Sequence, residues 1–254
     1  VHGIVALHGP EVVPCDLFGL RAGRLTRGHR FMGEGEIALT DARAYADTLR
    51  IHGRVEPDFA ARRERIRIAL EAAAGAEQVR MPGALLDEGT ALTEWPVVLK
   101  GAFDAAFLSV PQECLILSMQ SHQRYFPLLD ANGRLLPRFL LVANLESPDP
   151  GLIVHGNERV LRARLADARF FYDQDRKTRL EARLPRLNEV VYHNRLGSQG
   201  ERVRRLVRLA SAIARELQAD EGLAARAAQL AKADLVTDMV GEFPELLGVM
   251  GRYY

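Results

Sequence analysis

Apolar residues recur along this chain with two different spacings, and the change between them divides it. Over the first 40 residues short apolar runs alternate with turn residues, so residues 4–7 and 12–20 read as short strands. Thr40-Asp41 supplies a cap for a short helix through Leu49. Pro57-Asp58 opens a longer helical pattern over residues 59–74, with Phe59, Ile66 and Leu70 on one side and Arg62, Arg63 and Arg65 mostly outside. Gly75 ends it. A second helical stretch covers about residues 83–94, and the apolar run 95–99 that follows suits a buried strand. Pro111-Gln112-Glu113 starts a helix reaching about Gln123. Residues 125–129, the turn Asp130-Ala131-Asn132-Gly133 and residues 135–145 carry a hairpin signal, because Asn-Gly accepts the positive φ that a tight turn demands.

Beyond Ser147-Pro148-Asp149-Pro150-Gly151 the strand pattern gives way to Arg, Leu and Ala at helical spacing. A helix is predicted from Asp149 or Pro150 to about Tyr172, with Leu161, Leu165, Ala168 and Tyr172 on one apolar stripe. Further helices are predicted at about 173–192, 199–217, 220–240 and 243–252, punctuated by Gly197, Gly222 and Pro244. The fold class expected is α+β: a mixed α/β part over residues 1–180, then an all-helical part over 181–254, with the junction between 170 and 195.

Length and composition add bounds rather than chemistry. The 254 residues suffice for one large domain or two modest ones, and 48% apolar with 26% charged residues is globular composition. Lys+Arg (34) and Asp+Glu (33) nearly cancel, so the total charge names no partner. The distribution is uneven: from His155 to Glu216, 15 Arg/Lys stand against 8 Asp/Glu, a local excess of 7 that is compatible with RNA. No run of 18 apolar residues exists and Val1-His2-Gly3-Ile4 lacks the marks of a signal peptide, so no membrane partner is expected and the localisation expected is cytoplasmic. The missing Met and the abrupt Tyr253-Tyr254 end read as cuts inside a longer protein. Cys15 and Cys114 sit in apolar stretches and are expected to be buried free thiols.

Motifs for catalysis are sparse. The seven histidines are scattered, and no HExxH, GxSxG, P-loop or Cys/His cluster occurs, so no metal site or catalytic residue is assigned. Asp173 with Asp175, and Asp87 with Glu88, are expected to start helices or face solvent. The basic segments carry more. Thr26-Arg27-Gly28-His29-Arg30-Phe31 joins cations and an aromatic around a flexible glycine, a mix that grips phosphate and stacks a base; the alternative is a turn with its arginines paired and Phe31 in the core. Ser121-His122-Gln123-Arg124-Tyr125-Phe126 repeats that mix at a helix end, with Tyr125-Phe126 half core. In residues 157–169, Arg162 and Arg169 share a helix face. Arg164 lies about 200° round from Arg162 at 100° per residue, and Asp167 is an available partner. Finally, Leu230-Ala231-Lys232-Ala233-Asp234-Leu235 reads as a helix on which metal-dependent HD phosphohydrolases carry adjacent His-Asp. Here Ala233 precedes Asp234, and a methyl group cannot ligate a metal.

Several strings in order carry a family resemblance. They include Arg27-Gly28-His29-Arg30-Phe31, Leu92-Thr93-Glu94-Trp95-Pro96-Val97-Val98-Leu99, Gln123-Arg124-Tyr125-Phe126-Pro127 and Gly156-Asn157-Glu158-Arg159-Val160. Arg164-Leu165-Ala166-Asp167-Ala168-Arg169-Phe170-Phe171 and Glu242-Phe243-Pro244-Glu245-Leu246 continue the series. Together they resemble the beta subunit of the bacterial heterotetrameric glycyl-tRNA synthetase over essentially the whole chain; Leu247 departs from a pattern that often has Gln there. The resemblance implies an editing-type module, like that of the phenylalanyl-tRNA synthetase large subunit, followed by an HD-like domain with Ala233 and Asp234 at its degenerate position. It implies an alpha subunit partner in an alpha2beta2 assembly, tRNA(Gly) as the RNA, and ATP with Mg used at the alpha subunit, with no cofactor in this segment. Arg27, Arg30, Arg124, Arg162 and Arg164 are then the candidate phosphate contacts, and His122 or Tyr125 the candidate base-stacking residue. Two other readings are an active HD-type phosphohydrolase, which needs a His cluster near Asp234, and a residual editing activity, for which no nucleophile or base is marked.

Overall fold

The computed structural model describes residues 3–254, which group by contact into two compact units that are discontinuous in sequence. One holds the chain up to Asp104 together with Met119–Leu161; the other holds Ala105–Ser118 and Arg162–Tyr254. Contacts thus divide the chain inside a helix and return a short early segment to the second unit.

The first unit opens with three antiparallel hairpins: β1 (Leu7–His8) with β2 (Glu11–Val12), β3 (Asp16–Leu17) with β4 (Leu20–Arg21), and β5 (Leu25–Arg27) with β6 (Glu36–Ala38). These strands are shorter than the apolar runs suggested, because most of their residues are exposed or half-buried and little core holds them. Asp41 caps the next turn by accepting the Arg43 N–H at 2.8 Å, and α1 (Tyr45–Thr48) follows.

Helix α2 (Phe59–Ala74) begins where the Asp58 carboxylate accepts the Ala61 N–H at 2.8 Å and stops at Gly75, whose φ is +63°. It buries Ile66, Leu70 and Ala74. Phe59 is 46% exposed with the Arg62 guanidinium 5.7 Å above its ring, so the apolar stripe starts later than its spacing predicted. Arg62 and Arg65 are half-buried: Arg62 Nε donates to the Thr90 carbonyl at 2.9 Å, and the Arg65 guanidinium lies 4.2 Å over Trp95. Then come β7 (Gln78–Val79), α3 (Gly83–Leu92) and β8 (Val97–Ala102). The strand starts two residues after Trp95, whose N–H and indole donate to Asn144 Oδ1 and Glu146 Oε1 at 3.0 and 2.9 Å. β9 (Phe126–Leu129) and β10 (Leu135–Ala143) form the hairpin read from Asn132-Gly133.

The four strands make an antiparallel sheet in the order β7-β9-β10-β8. Ile66, Leu70, Leu85, Leu86, Phe126, Leu128 and Leu140 form one core beneath it, each large side chain contributing about 1.5–3 kcal/mol. Gly101 faces Phe139 across the strand pair; a Cβ there would meet the Phe139 ring at 2.6 Å, so glycine lets the ring lie flat.

The second unit contains α4 (Gln112–Leu117), the later part of α5 (Pro150–Asp175), then β11 (Val191–His193) and β12 (Gly197–Ser198). It ends with α6 (Gln199–Glu216), α7 (Glu221–Leu230) and α8 (Asp238–Glu242). The α5 stripe is as its spacing predicts: Leu161, Leu165 and Ala168 are fully buried and Tyr172 is buried. Four expectations fail, one being the helix expected at 243–252, which is two 3-10 turns, Pro244–Leu246 and Met250–Arg252. Strands do not vanish after residue 151, since Gly197 at φ +82° closes the β11–β12 hairpin. The helix expected at 173–192 is, after the end of α5 at Asp175, a 3-10 segment, Leu180–Asn188, with Pro185 inside it. The helix expected at 220–240 ends at Leu230, and Asp234 lies on the 3-10 turn Ala233–Val236. Cys114 is buried and Cys15 is half-buried; both are free.

One buried carboxylate organises this unit. Asp175 Oδ1 takes the Arg183 guanidinium at 3.0 Å and the Asp238 N–H at 2.9 Å. Its Oδ2 takes the Met239 N–H at 2.9 Å and the Tyr254 hydroxyl at 3.0 Å. Asp175 was expected to start a helix or face solvent; it is buried and accepts the first-turn N–H groups of α8, distant in sequence, where a helix N-terminus favours negative charge. Among the described residues, no helix is long and apolar enough to cross a membrane.

Candidate nucleic-acid interface

The loop between β5 and β6 is built on two glycines and a buried imidazole. Gly28 lies back to back with Gly53: a Cβ on Gly28 would stand 2.3 Å from the Gly53 Cα and carbonyl oxygen. The His29 N–H donates to the Gly53 carbonyl at 2.6 Å. His29 is buried, its Nε2 is 2.5 Å from the Asn144 carbonyl, and its Nδ1 accepts the Phe31 N–H at 3.2 Å. This pair of contacts assigns the ring proton to Nε2, since the backbone N–H needs an acceptor at Nδ1. Gly33 closes the turn by donating to the His29 carbonyl at 2.8 Å.

Pinning His29 inward turns its neighbours outward. Arg27 and Arg30 are exposed, Phe31 is 74% exposed, and the Arg30 guanidinium sits 5.5 Å from the Phe31 ring centroid. The alternative weighed from sequence, with Phe31 in the core, is the reverse of what is found: histidine takes the core position because two backbone groups satisfy its nitrogens. An exposed ring carrying a stacked cation beside a second cation can hold a base and its phosphate.

The segment 121–126 is arranged differently. Arg124 adopts φ +55°, and its guanidinium donates to Glu88 at 2.8 Å and to the carbonyls of Ser121 and His122 at 3.0 and 3.3 Å. It clamps the end of a π-helical turn, Ser118–His122, with much of its donor capacity engaged. Tyr125 is buried, stacks on Phe139 with ring centroids 4.6 Å apart, and donates its hydroxyl to Asn157 Oδ1 at 2.6 Å. Burial pushes that hydroxyl up to about 12. Its ring has no face left for a base. His122 is exposed beside it.

The other two sequence candidates for phosphate contact, Arg162 and Arg164, fall in the second unit, exposed on α5 on either side of the apolar stripe. The acid nearest to hand on that helix is not the expected one: Asp173 approaches Arg169 at 3.7 Å. Ala233 is fully buried. Asp234 is buried too, its Oδ2 accepting the N–H groups of Gly248 and Gly251 at 2.6 and 3.0 Å, so the carboxylate ties the 248–251 segment down. Among the described residues, no three His, Cys, Asp or Glu side chains stand close enough to hold a metal ion. This donor set does not fit an HD-type metal centre. Sequence reading missed the Asp175 node and a cationic groove on α6 described below; the signal available for the groove was Arg204 and Arg208 at i, i+4 spacing after Ser198-Gln199-Gly200-Glu201.

The glycyl-tRNA synthetase beta subunit family model matches residues 1–254. The chain belongs to that family. A glycine–tRNA ligase beta subunit from Neisseria meningitidis serogroup A is 57% identical over 256 residues, and one from Neisseria gonorrhoeae is 58% identical; each covers all of this chain. A third beta subunit, from Aromatoleum aromaticum, is 59% identical over 256 residues and also covers the whole chain. The chain spans 37% of the length of these glycine–tRNA ligase beta subunits.

Proposed function

We propose that this chain is the part of a glycine–tRNA ligase beta subunit that helps hold tRNA(Gly) while an alpha subunit carries out ATP-dependent glycylation in a cytoplasmic alpha2beta2 complex. Family membership supports the reaction class. The observation that carries the RNA role is the β5–β6 loop, where buried His29 fixes Arg27, Arg30 and Phe31 outward. Arg162 and Arg164 extend the candidate contacts on α5, and His122 stays a candidate beside the clamp; Arg124 acts by shaping the turn. Tyr125 is not retained as a base-stacking residue. ATP and Mg belong to the alpha subunit in this reading, and no step runs through a metal here. In this reading residues 1–180 form an editing-type module and residues 181–254 an HD-like domain that uses Asp234 as a structural anchor.

The test uses the complete complex with Arg27→Ala and Arg30→Ala combined. Each lost phosphate contact flattens the dependence of log affinity on log salt by about 0.7 for an unpaired strand and about 0.9 for a duplex, so a decrease of about 1.4–1.8 is expected. An unchanged slope and affinity in a filter-binding salt series removes the loop from the RNA contact surface.

A further inference from the structure

A groove of about 1040 Å³ lies between the 3-10 segment Leu180–Asn188, α6 and α7, wholly within the second unit. Its floor is apolar, with Leu184, Val203, Val207 and Ala225. Four guanidiniums rim it: Arg204, Arg205, Arg208 and Arg226. The one carboxylate in the lining, Glu201, is engaged in the α6 capping box, where it accepts the Ser198 N–H at 2.8 Å. Glu221 is committed elsewhere, binding Arg215 through both oxygens at 2.9 and 2.8 Å, whereas Glu181 pairs with the rim residue Arg226 and offsets its charge.

The rim is pre-organised. Asn188 Oδ1 accepts from Arg204 at 3.1 Å, and Asn188 is itself wedged against Gly200, where a Cβ would stand 2.1 Å from that same oxygen. Arg205 donates to the Leu196 carbonyl at 3.0 Å. Each of these guanidiniums has five N–H donors, so one anchoring bond leaves most of them open. The Arg208 side chain is exposed and makes no ion pair or hydrogen bond to any described residue. Two cations pinned by neutral acceptors, Arg204 and Arg205, and the open cation Arg208 around an apolar floor match an anion that carries a flat apolar body, and the volume lies at the upper end of small-ligand sites.

We infer that this groove binds a nucleotide, its phosphates on the arginine rim and its base on the Val203–Val207 floor. The nucleotide is either free or an unpaired residue of an RNA strand, one chemistry with two sources. The site stands on its own geometry, so its failure and that of the β5–β6 loop reading are separable.

The probe is a fluorescent guanosine triphosphate titrated into the assembled full-length complex. Guanine is chosen because ATP would also load the aminoacylation site proposed for the alpha subunit. One saturable site per beta chain is expected. Arg208→Gln weakens it about tenfold, as loss of one charge-assisted contact requires, with no change in melting temperature because Arg208 holds nothing in the fold. Arg204→Gln with Arg208→Gln weakens it further. Inorganic tripolyphosphate competes, and guanosine does so far less. Displacement of the probe by a short single-stranded oligoribonucleotide assigns the site to an RNA strand, and resistance to it assigns a free nucleotide. No saturable binding by the wild type, or wild-type affinity in Arg208→Gln, overturns the inference; that single variant decides the matter even if the double variant does not fold.

Discussion

Replacing Asp175 by Asn changes one atom and little volume, yet it strikes the most connected carboxylate in the second unit. The side chain of Asp175 is fully buried and that of its partner Arg183 is 8% exposed, at an N–O separation of 3.0 Å. The variant leaves the Arg183 charge uncompensated. It also replaces one of the two acceptor oxygens by a donor-only NH2: at the Oδ2 position this faces the Met239 N–H and the Tyr254 hydroxyl, and at the Oδ1 position the Asp238 N–H and the Arg183 guanidinium. Breaking a buried pair from one side costs about 3–5 kcal/mol, and an unsatisfied buried donor about 1–3 kcal/mol. The two overlap, so a loss of about 3–5 kcal/mol is expected, a large share of the 5–15 kcal/mol typical of a folded domain. Urea unfolding followed by circular dichroism measures it as a lowered midpoint at constant slope. Asp175→Leu with Arg183→Met then recovers part of the loss, since no lone charge remains; recovery is incomplete because the two α8 N–H groups still lack an acceptor. A loss below about 1 kcal/mol for Asp175→Asn would mean that the pair behaves like a surface one and would refute the reasoning.

Other outcomes are as direct. In an alkaline titration at 295 nm, Tyr125, Tyr253 and Tyr254 ionise above the ordinary tyrosine range: burial raises Tyr125 to about 12 and is the main cause at Tyr254, while the hydrogen bond to Glu113 holds Tyr253 up. Because these folded-state values are raised, their stabilisation is intact below the ordinary tyrosine value near pH 10 and is lost as pH climbs past it; an unchanged titration curve in the variant Tyr125→Phe above about pH 11 contradicts this. The Arg50 guanidinium, bonded to both oxygens of Glu56 at 2.8 and 3.1 Å, holds that carboxyl below its usual range. Its contribution is therefore full at neutral pH and disappears as pH falls through the lowered value, so the stability gap between wild type and Glu56→Gln narrows on acidification; a gap that stays constant from about pH 7 to pH 3 counts against it. Phe31→Ala, at a 74% exposed position, should alter stability by no more than about 0.5 kcal/mol while weakening tRNA binding by about 1–3 kcal/mol if a base stacks there; equal binding argues against stacking.

Local signals in the sequence were read well where the structure is local. Asp58 and Gly75 bracket α2 at the residues their chemistry predicts, Asn132-Gly133 marks the β9–β10 hairpin, and the α5 stripe is buried as its spacing requires. What escaped depends on partners distant in sequence. His29 is inside and Phe31 outside because Asn144, more than a hundred residues on, supplies an acceptor. Tyr125 is buried because Asn157 and Phe139 take its two faces of polarity, hydroxyl and ring. The helix expected through residue 240 breaks because the Asp234 carboxylate is drawn to Gly248 and Gly251. No periodicity encodes such pairings.

The back-to-back glycines also make an evolutionary statement. Contact is mutual, but tolerance is not: a methyl on Gly28 would strike Gly53 backbone at 2.3 Å, whereas a methyl on Gly53 meets Gly28 only at 3.3 Å and a Leu49 methyl at 3.2 Å. Drift is therefore one-way. Selection acting on a library of this chain should admit alanine at 53 with small adjustments of the Leu49 side chain, and should reject every side chain at 28. The same spot in the fold would then look variable from one side and frozen from the other.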